Sequence, residues 1–133
     1  MIKEEYKYSE LTGKIIGAAM EVHTILGCGF QELIYQRALY LELKLRKISF
    51  KREESMKVFY KGRSVGERRV DFLVEDKIAV EIKAIKALED VHFAQAINYL
   101  EAYNLEIGLL INFGAKSLDF KRLENKKYKP NVV

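Results

Sequence analysis

Residues 70 to 83 read VDFLVEDKIAVEIK, and the interpretation of the whole chain begins from this stretch. Two apolar segments, 70–74 and 78–83, flank the polar residues 75–77. Short apolar runs on either side of a brief polar link predict two antiparallel strands joined by a turn. Asp71, Glu81 and Lys83 interrupt the apolar pattern, so this hairpin is the first place to look for chemistry.

The register of the hairpin determines where these charges meet. Because side chains alternate along a strand, Glu81 and Lys83 lie on one face of the sheet. If residues 75–77 form a three-residue loop, residue 74 pairs with residue 78 and Asp71 lies opposite Glu81, with β-carbons about 5 Å apart. Two such carboxylates repel each other unless a positive charge such as a divalent metal ion lies between them.

Two other interpretations of the hairpin stay open. Strand carboxylates often lie on a solvated face, where a Glu–Lys pair is only a surface ion pair. A shift of one residue in the turn would also move Asp71 to the face opposite Glu81. Beside these alternatives, the spacing suggests a metal site, in which Lys83 would hold water or offset charge on phosphate.

The rest of the chain predicts helices before the hairpin and a helix and strands after it. We expect a helix over 11–26 with Ser9 as N-cap and Gly27 at its end, and a second helix over 30–46. The predicted buried stripe of the second helix is Leu33, Ile34, Ala38, Leu41 and Leu45. We expect strands at 48–53, 56–60, 107–113 and 117–122, a turn at 61–63, and a third helix from about 89 to 104.

Composition limits the class of protein. With 133 residues, 49% of them apolar and one proline, the chain fits a single domain with frayed ends at 1–8 and 124–133. A single cysteine excludes an internal disulfide and a cysteine-based zinc cage. The polar beginning and the lack of a long apolar run predict a cytoplasmic protein without a membrane segment. A net charge of +4 permits a polyanionic partner.

Four motifs together resemble a known superfamily. Asp71, nine intervening residues and then Glu81-Ile82-Lys83 resemble the PD-(D/E)XK nuclease signature, with Val70 where proline often stands. Gln95 and Tyr99 resemble the QxxxY motif of the RecB-like branch. Residues 29–35, GFQELIY, match the motif of the GxxExxY family, which is assigned to the same superfamily. The resemblance extends over about 11–113, including the apolar stretch 108–114.

The resemblance implies an α/β fold with a restriction-endonuclease-like core, in which helices flank a central mixed β-sheet. It implies Mg²⁺ or Mn²⁺ bound by Asp71, Glu81 and the Ile82 carbonyl, with Lys83 as the catalytic lysine. It also gives Glu32 the place of an acid that completes some active sites. Gln95 and Tyr99 match a pair that abuts the active site and orients lysine or DNA.

Each of these roles has a plainer alternative. Glu32 would favour the helix dipole, Tyr99 would pack in the core, and Tyr35 would pack or hydrogen-bond Glu32. His23 and His92 are interpreted as structural or solvated, and Cys28 as unreactive.

The predicted function is a magnesium- or manganese-dependent nuclease that acts on DNA in repair or defence. Residues expected to contact nucleic acid are Arg69, Lys86, Gln95 and Tyr99, and phosphate contacts of this kind do not read sequence. A homodimer, or a protein partner that supplies specificity, would fit such an enzyme. The alternative is a catalytically silent nuclease fold that binds nucleic acid or a protein.

Overall fold

A computed structural model describes residues 8–130. In chain order its elements are α1 (Ser9–Leu26), α2 (Glu32–Leu45), β1 (Phe50–Tyr60), β2 (Arg63–Val74), β3 (Ile78–Lys83), α3 (Asp90–Tyr103), β4 (Ile107–Asn112) and β5 (Asp119–Glu124). The predicted order of helices and strands is confirmed, except that two predicted strands are one and that β2 begins at Arg63 and not at residue 70. Residues 1–7 and 131–133, which fall in the predicted frayed ends, lie outside the described residues.

The strands form one mixed sheet with the order β1-β2-β3-β4-β5. Neighbouring strands are antiparallel except for β3 and β4, which pair in parallel. A parallel pair needs a crossover connection, and α3 supplies it here. The predicted fold class, an α/β restriction-endonuclease-like core with helices around a central mixed sheet, is confirmed.

Apolar side chains cover both faces of the sheet. The larger cluster joins α1 and α2 to sheet residues that include Phe72, Val80 and Ile82. The smaller cluster joins Tyr99 and Leu100 of α3 to the sheet from the other face. Every residue of β4 is buried, as the apolar run predicted for a strand covered on both sides.

The structure corrects the predicted buried face of α2. Leu33, Leu41 and Leu45 are 49%, 60% and 76% exposed, whereas the residues that the helix buries are Tyr35, Gln36, Leu39 and Leu43. The prediction was wrong because this helix carries apolar residues on more than one face, so periodicity alone does not select the packed one. The Tyr35 hydroxyl donates to the Gly27 carbonyl and accepts from the Phe30 N–H, so it bonds a loop and not Glu32.

The two strands predicted at 48–53 and 56–60 are one long strand, β1. Glu53 has a φ of 54°, and β1–β2 pairing skips it and resumes at Glu54 opposite Val70. The expected break is therefore an irregularity within a continuous ladder. The predicted turn is confirmed, since Tyr60 pairs with Arg63 and both Lys61 and Gly62 have positive φ, as a type I′ hairpin turn requires.

Several boundaries also differ from the prediction. Tyr8, and not Ser9, is the N-cap of α1, and the Thr12 hydroxyl donates to the Tyr8 carbonyl instead. The predicted fraying is wrong for residues 124–130, because Glu124 pairs with Ile107 and the buried Asn125 amide donates to two backbone carbonyls. Within residues 8–130, no helix combines the length and apolarity that crossing a bilayer requires.

Candidate functional site

The site begins where β2 and β3 separate. Their ladder pairs Val74 with Ile78, which confirms the predicted three-residue loop, but it ends at Phe72 and Val80. The expected pairing of Asp71 with Glu81 across the ladder is therefore wrong. Its carboxylate instead accepts the Ile82 N–H at Oδ2, 2.7 Å away. The Asp71 side chain thus accepts the hydrogen bond of the Ile82 N–H, which has no backbone partner on β2 once the two strands have separated.

A helix residue holds the other oxygen of Asp71. Gln36 of α2 donates through Nε2 to Asp71 Oδ1 at 2.8 Å. Burial raises the pKa of Asp71, while the hydrogen bonds from Ile82 and Gln36 and the charge of Lys83 act to lower it. The carboxylate is therefore fixed in position by both the sheet and α2.

Glu81 is the most strongly perturbed acid of the site. It is 9% exposed, and its Oε1 atom is buried without any hydrogen-bond partner. Burial, followed by repulsion from Asp71, raises the pKa of Glu81 to about 7, although Arg68 and Lys83 oppose the rise. A buried acceptor without a donor is unfavourable unless another species occupies it.

Glu32 and Lys83 complete an electrostatically coupled group. Partial burial and the nearby charge of Asp71 raise the pKa of Glu32, and Lys83 acts in the opposite direction. Glu32 is the first residue of α2, so the favourable helix-end position expected as an alternative is also real. Elements far apart in sequence therefore bring Glu32, Asp71, Glu81 and Lys83 within electrostatic range of one another.

The donor set suits a hard divalent cation. Carboxylate oxygens are what Mg²⁺ prefers, and it commonly takes one or two from protein while keeping waters and substrate phosphates. The unpartnered Oε1 of Glu81 fits that chemistry. Across residues 8–130, no three His, Cys, Asp or Glu side chains group into a ready metal cage.

Gln95 and Tyr99 of α3 lie on the side of the sheet covered by the smaller cluster. Tyr99 is fully buried, and its hydroxyl donates to the Glu54 carbonyl at 3.4 Å. Gln95 is exposed, and its carbonyl accepts a hydrogen bond from Arg68 at 2.9 Å. A groove of about 710 Å³ opens beside Gln95, between α3 and the β1–β2 hairpin.

The remaining predicted contacts lie at the surface. Arg69 is exposed and 3.8 Å from Glu53, and Lys86 is exposed just beyond β3. The histidines have structural contacts: His23 Nε2 bonds the Ala115 carbonyl, and the Glu89 N–H donates to His92 Nδ1 in a capping box at the start of α3. Cys28 is exposed.

Sequence reasoning missed Gln36 as a functional residue. Gln36 follows Glu32 by one helical turn, so its spacing was the signal that would have placed both on one face. Asn112 was also missed. Its side-chain amide accepts the Ile85 N–H and donates to the Ile85 carbonyl, which fixes the segment after Lys83. A β-carbon at Gly114 would collide with the Ile85 backbone, so that approach requires glycine.

The comparisons with known proteins support this geometry at the level of fold and superfamily. No curated protein matches the sequence. The protein of the crystal structure of SSO0001 is similar in fold, with a TM-score of 0.57 at 19% sequence identity. The match covers 90% of this chain and 60% of SSO0001, so this chain spans less than two thirds of that protein. The sequence profile of the PD-(D/E)XK nuclease superfamily matches residues 9–123, and the chain therefore belongs to the PD-(D/E)XK nuclease superfamily.

Proposed function

We propose that this protein is a metal-dependent nuclease that hydrolyses phosphodiester bonds of DNA, with Mg²⁺ or Mn²⁺ as cofactor. The observation that carries the proposal is the buried Oε1 of Glu81, which has no hydrogen-bond partner beside the Asp71 carboxylate. Superfamily membership makes nuclease chemistry the natural use of such a pair. The closest motif resemblance further supports placement in the GxxExxY family and the RecB-like branch.

Asp71 and Glu81, with the Ile82 carbonyl, would hold the cation. When bound, the metal supplies Lewis-acid polarisation of the phosphate and a lowered pKa for its water. Gln36 and the Ile82 N–H keep the Asp71 carboxylate oriented toward this position. Such supporting contacts matter because ligands that are held in place lose less freedom on binding.

Lys83 is the proposed catalytic lysine, which orients water and stabilises charge. It follows Glu81 by two positions on β3, so alternation places both on one face. An ammonium there would orient the attacking water and offset negative charge that develops on the phosphate. Glu32 at the start of α2 would add a third acid near the site, because Asp71 and Lys83 both influence its carboxyl group.

The α3 residues take supporting roles in the proposal. The burial of Tyr99 and its bond to Glu54 favour a positioning role, in which it anchors α3 against β1. Gln95 is exposed and beside Arg68, which suits contact with DNA. Arg69 and Lys86 would contact phosphates, and a second copy or a protein partner would provide specificity.

A catalytically silent binding module is the second candidate. It is favoured by the lack, within residues 8–130, of a ready cage of three metal-ligating side chains. In that case the fold would bind nucleic acid without cutting it. The first candidate accounts better for Glu81, because no binding role requires a buried carboxylate without a partner.

The test is Mg²⁺ and Mn²⁺ titration by calorimetry, with plasmid and single-strand cleavage assays in parallel. Wild type should bind the metal and cut, and the double variant Asp71→Asn/Glu81→Gln should do neither. The matched control, Asp119→Asn/Glu124→Gln, removes two carboxylates from β5 at the far edge of the sheet and should leave both unchanged. Cleavage by the site variant at the wild-type rate would reject this site, and absence of metal binding in wild type would favour the silent module.

A further inference from the structure

The outer part of the β1–β2 hairpin concentrates the positive charge of the chain. Beyond the Glu54–Val70 pair, residues 55–69 form a hairpin arm in which no residue is buried. The arm holds five basic residues, Lys57, Lys61, Arg63, Arg68 and Arg69, against the single acid Glu67. Its net charge of +4 equals that of the whole chain, so the remainder is balanced overall.

The arm also presents aromatic and apolar groups to solvent. Phe59 and Tyr60 are 62% and 64% exposed, and Val65 is 64% exposed. The Lys61 ammonium lies 5.5 Å from the centre of the Tyr60 ring. Proteins that bind single-stranded nucleic acids combine exposed aromatic rings with basic groups. The rings stack on the bases, and the basic groups contact the phosphates.

A groove runs between this arm and α3. Its lining residues are Lys57, Val58, Phe59, Arg68, Gln95, Asn98, Glu101 and Ala102. Glu101, the one acid among them, lies 3.6 Å from the Lys127 ammonium, which offsets its charge. The groove therefore combines an exposed ring, basic groups and amide side chains in a concave surface.

We infer that the hairpin arm and α3 form a binding groove for one unpaired strand of nucleic acid, with bases stacked on Phe59 and phosphates on the basic residues of the arm. The inference rests on the proposed function in taking nucleic acid as the ligand. The groove, of about 710 Å³, is lined on the arm by Phe59, Lys57 and Arg68, which suits one strand with its bases unpaired. Moreover, the faces of duplex bases are stacked against each other and offer an exposed phenylalanine nothing to stack on.

Arg68 connects this groove to the carboxylates. It lines the groove, donates to the Gln95 carbonyl, and its charge opposes the raised pKa of Glu81. A strand held along the arm would therefore lead toward Asp71 and Glu81. The arm is the element that brings the substrate, and the separated ends of β2 and β3 are where it would be cut.

The test measures binding without cleavage. A fluorescein-labelled single strand of about ten nucleotides, within the site sizes of small single-strand binders, is titrated with protein in EDTA and followed by anisotropy. The triple variant Lys57→Gln/Lys61→Gln/Arg63→Gln should weaken binding at least tenfold. It should also reduce the slope of log affinity against log salt by roughly 2, because each lost phosphate contact accounts for about 0.7.

Phe59→Ala separates stacking from charge. It should weaken single-strand binding by about 5- to 150-fold while leaving the salt slope unchanged. The matched control, Lys116→Gln/Lys121→Gln, removes two exposed charges from the opposite end of the sheet and should change affinity by less than about twofold. Circular dichroism of each variant verifies that it is folded.

The outcomes separate this inference from the proposed function. Equal weakening by the arm and control variants, tighter binding of duplex than of single strand, or no effect of Phe59→Ala would overturn the groove. If binding depends on the arm but the protein fails to cut in the presence of either Mg²⁺ or Mn²⁺, the groove stands and the nuclease proposal is rejected. If the protein cuts with metal and the arm variants change neither the rate nor the KM, the nuclease proposal stands and the groove is rejected.

Discussion

The inner and outer halves of β2 differ in nearly every physical respect. The inner half, from Val70 to Val74, is covered by helices on both faces and contains Asp71. The outer half, from Arg63 to Arg69, pairs in the sheet with β1 alone and carries three arginines, of which Arg68 also contacts α3. One strand therefore places negative charge where water is excluded and positive charge where it is not. The difference suggests that chemistry and substrate capture are assigned to separate parts of one element.

The strongest test of this division is Lys83→Met, which changes only the inner region. Loss of the ammonium should lower the cleavage rate by roughly 10²- to 10³-fold, the usual cost of removing one group that stabilises developing charge. Single-strand affinity in EDTA should stay within about twofold, because Lys83 belongs to β3 and not to the arm. Cleavage kinetics and anisotropy are the measurements, with Lys121→Met as control. A comparable loss of affinity would show that the two halves are not separate.

Glu81→Gln tests whether the buried carboxylate of β3, next to the inner half of β2, lowers the free energy of unfolding when it is charged. The pKa of Glu81 is raised from 4.5 to about 7 in the folded protein. Between these values the unfolded chain loses its proton first, so wild-type stability falls as pH rises toward 7 and stays lower above it. Without metal, the variant should be more stable than wild type by roughly 1–3 kcal/mol near pH 8 and equal to it near pH 4.

Urea unfolding in EDTA at the two pH values measures the effect of Glu81→Gln. Glu124→Gln, on the exposed end of β5, serves as the control and should show no such pH dependence. A stability difference that is the same at both pH values would mean that ionisation of Glu81 is not its cause.

Gln36→Leu tests the support of Asp71 from α2. The variant removes the 2.8 Å hydrogen bond to Asp71 Oδ1 but keeps the buried volume. Metal affinity or cleavage should fall by about 10- to 100-fold, as is typical when a supporting contact to a ligand is lost. Calorimetric metal titration measures it. Gln31→Leu, at the exposed N-cap position without a side-chain cap bond, should match wild type, and identical losses in both variants would reject the assignment.

The smallest expected effect belongs to Arg63→Gln at the tip of the arm. One charge removed from the outer half should reduce the salt slope of single-strand binding by about 0.7 and leave the cleavage rate of bound substrate unchanged. Anisotropy at several salt concentrations, together with single-turnover cleavage, provides both numbers. A changed single-turnover rate would indicate that the tip of the arm reaches the reaction centre.

Local patterns in the sequence were sufficient to predict the centre of the sheet. The hairpin from Val70 to Lys83 has a short polar loop and alternating or continuous apolar strands, so its pairing from the loop to Phe72 and Val80 followed from the turn, whereas the expected pairing of Asp71 with Glu81 is absent. The apolar run of β4 was equally clear. The stop of α3 at Asn104, which adopts a left-handed conformation, was predicted because that residue type tolerates positive φ.

The parts that were missed depend on contacts between distant residues. Gln36 bonds a residue 35 positions away, so its spacing from Glu32 indicates which face of α2 it shares but not which side chain it bonds. The prediction of the buried face of α2 was wrong because the helix has apolar residues on two faces. Tyr35, Leu39 and Leu43 are buried, whereas the predicted Leu33, Leu41 and Leu45 are exposed. The continuity of β1 through Glu53 is imposed by its long pairing with β2, which overrides the local break.

The hydrogen bond from Ile82 to Asp71 makes one backbone amide a natural spectroscopic reporter. The N–H of Ile82 points at the carboxylate that would hold a cation, so protonation or metal binding at Asp71 changes the electric field along that bond. In a ¹⁵N-labelled sample, the Ile82 resonance should therefore move during a metal titration, while amides of β5 remain still. A single cross-peak would then follow the charge state of the site in the intact protein.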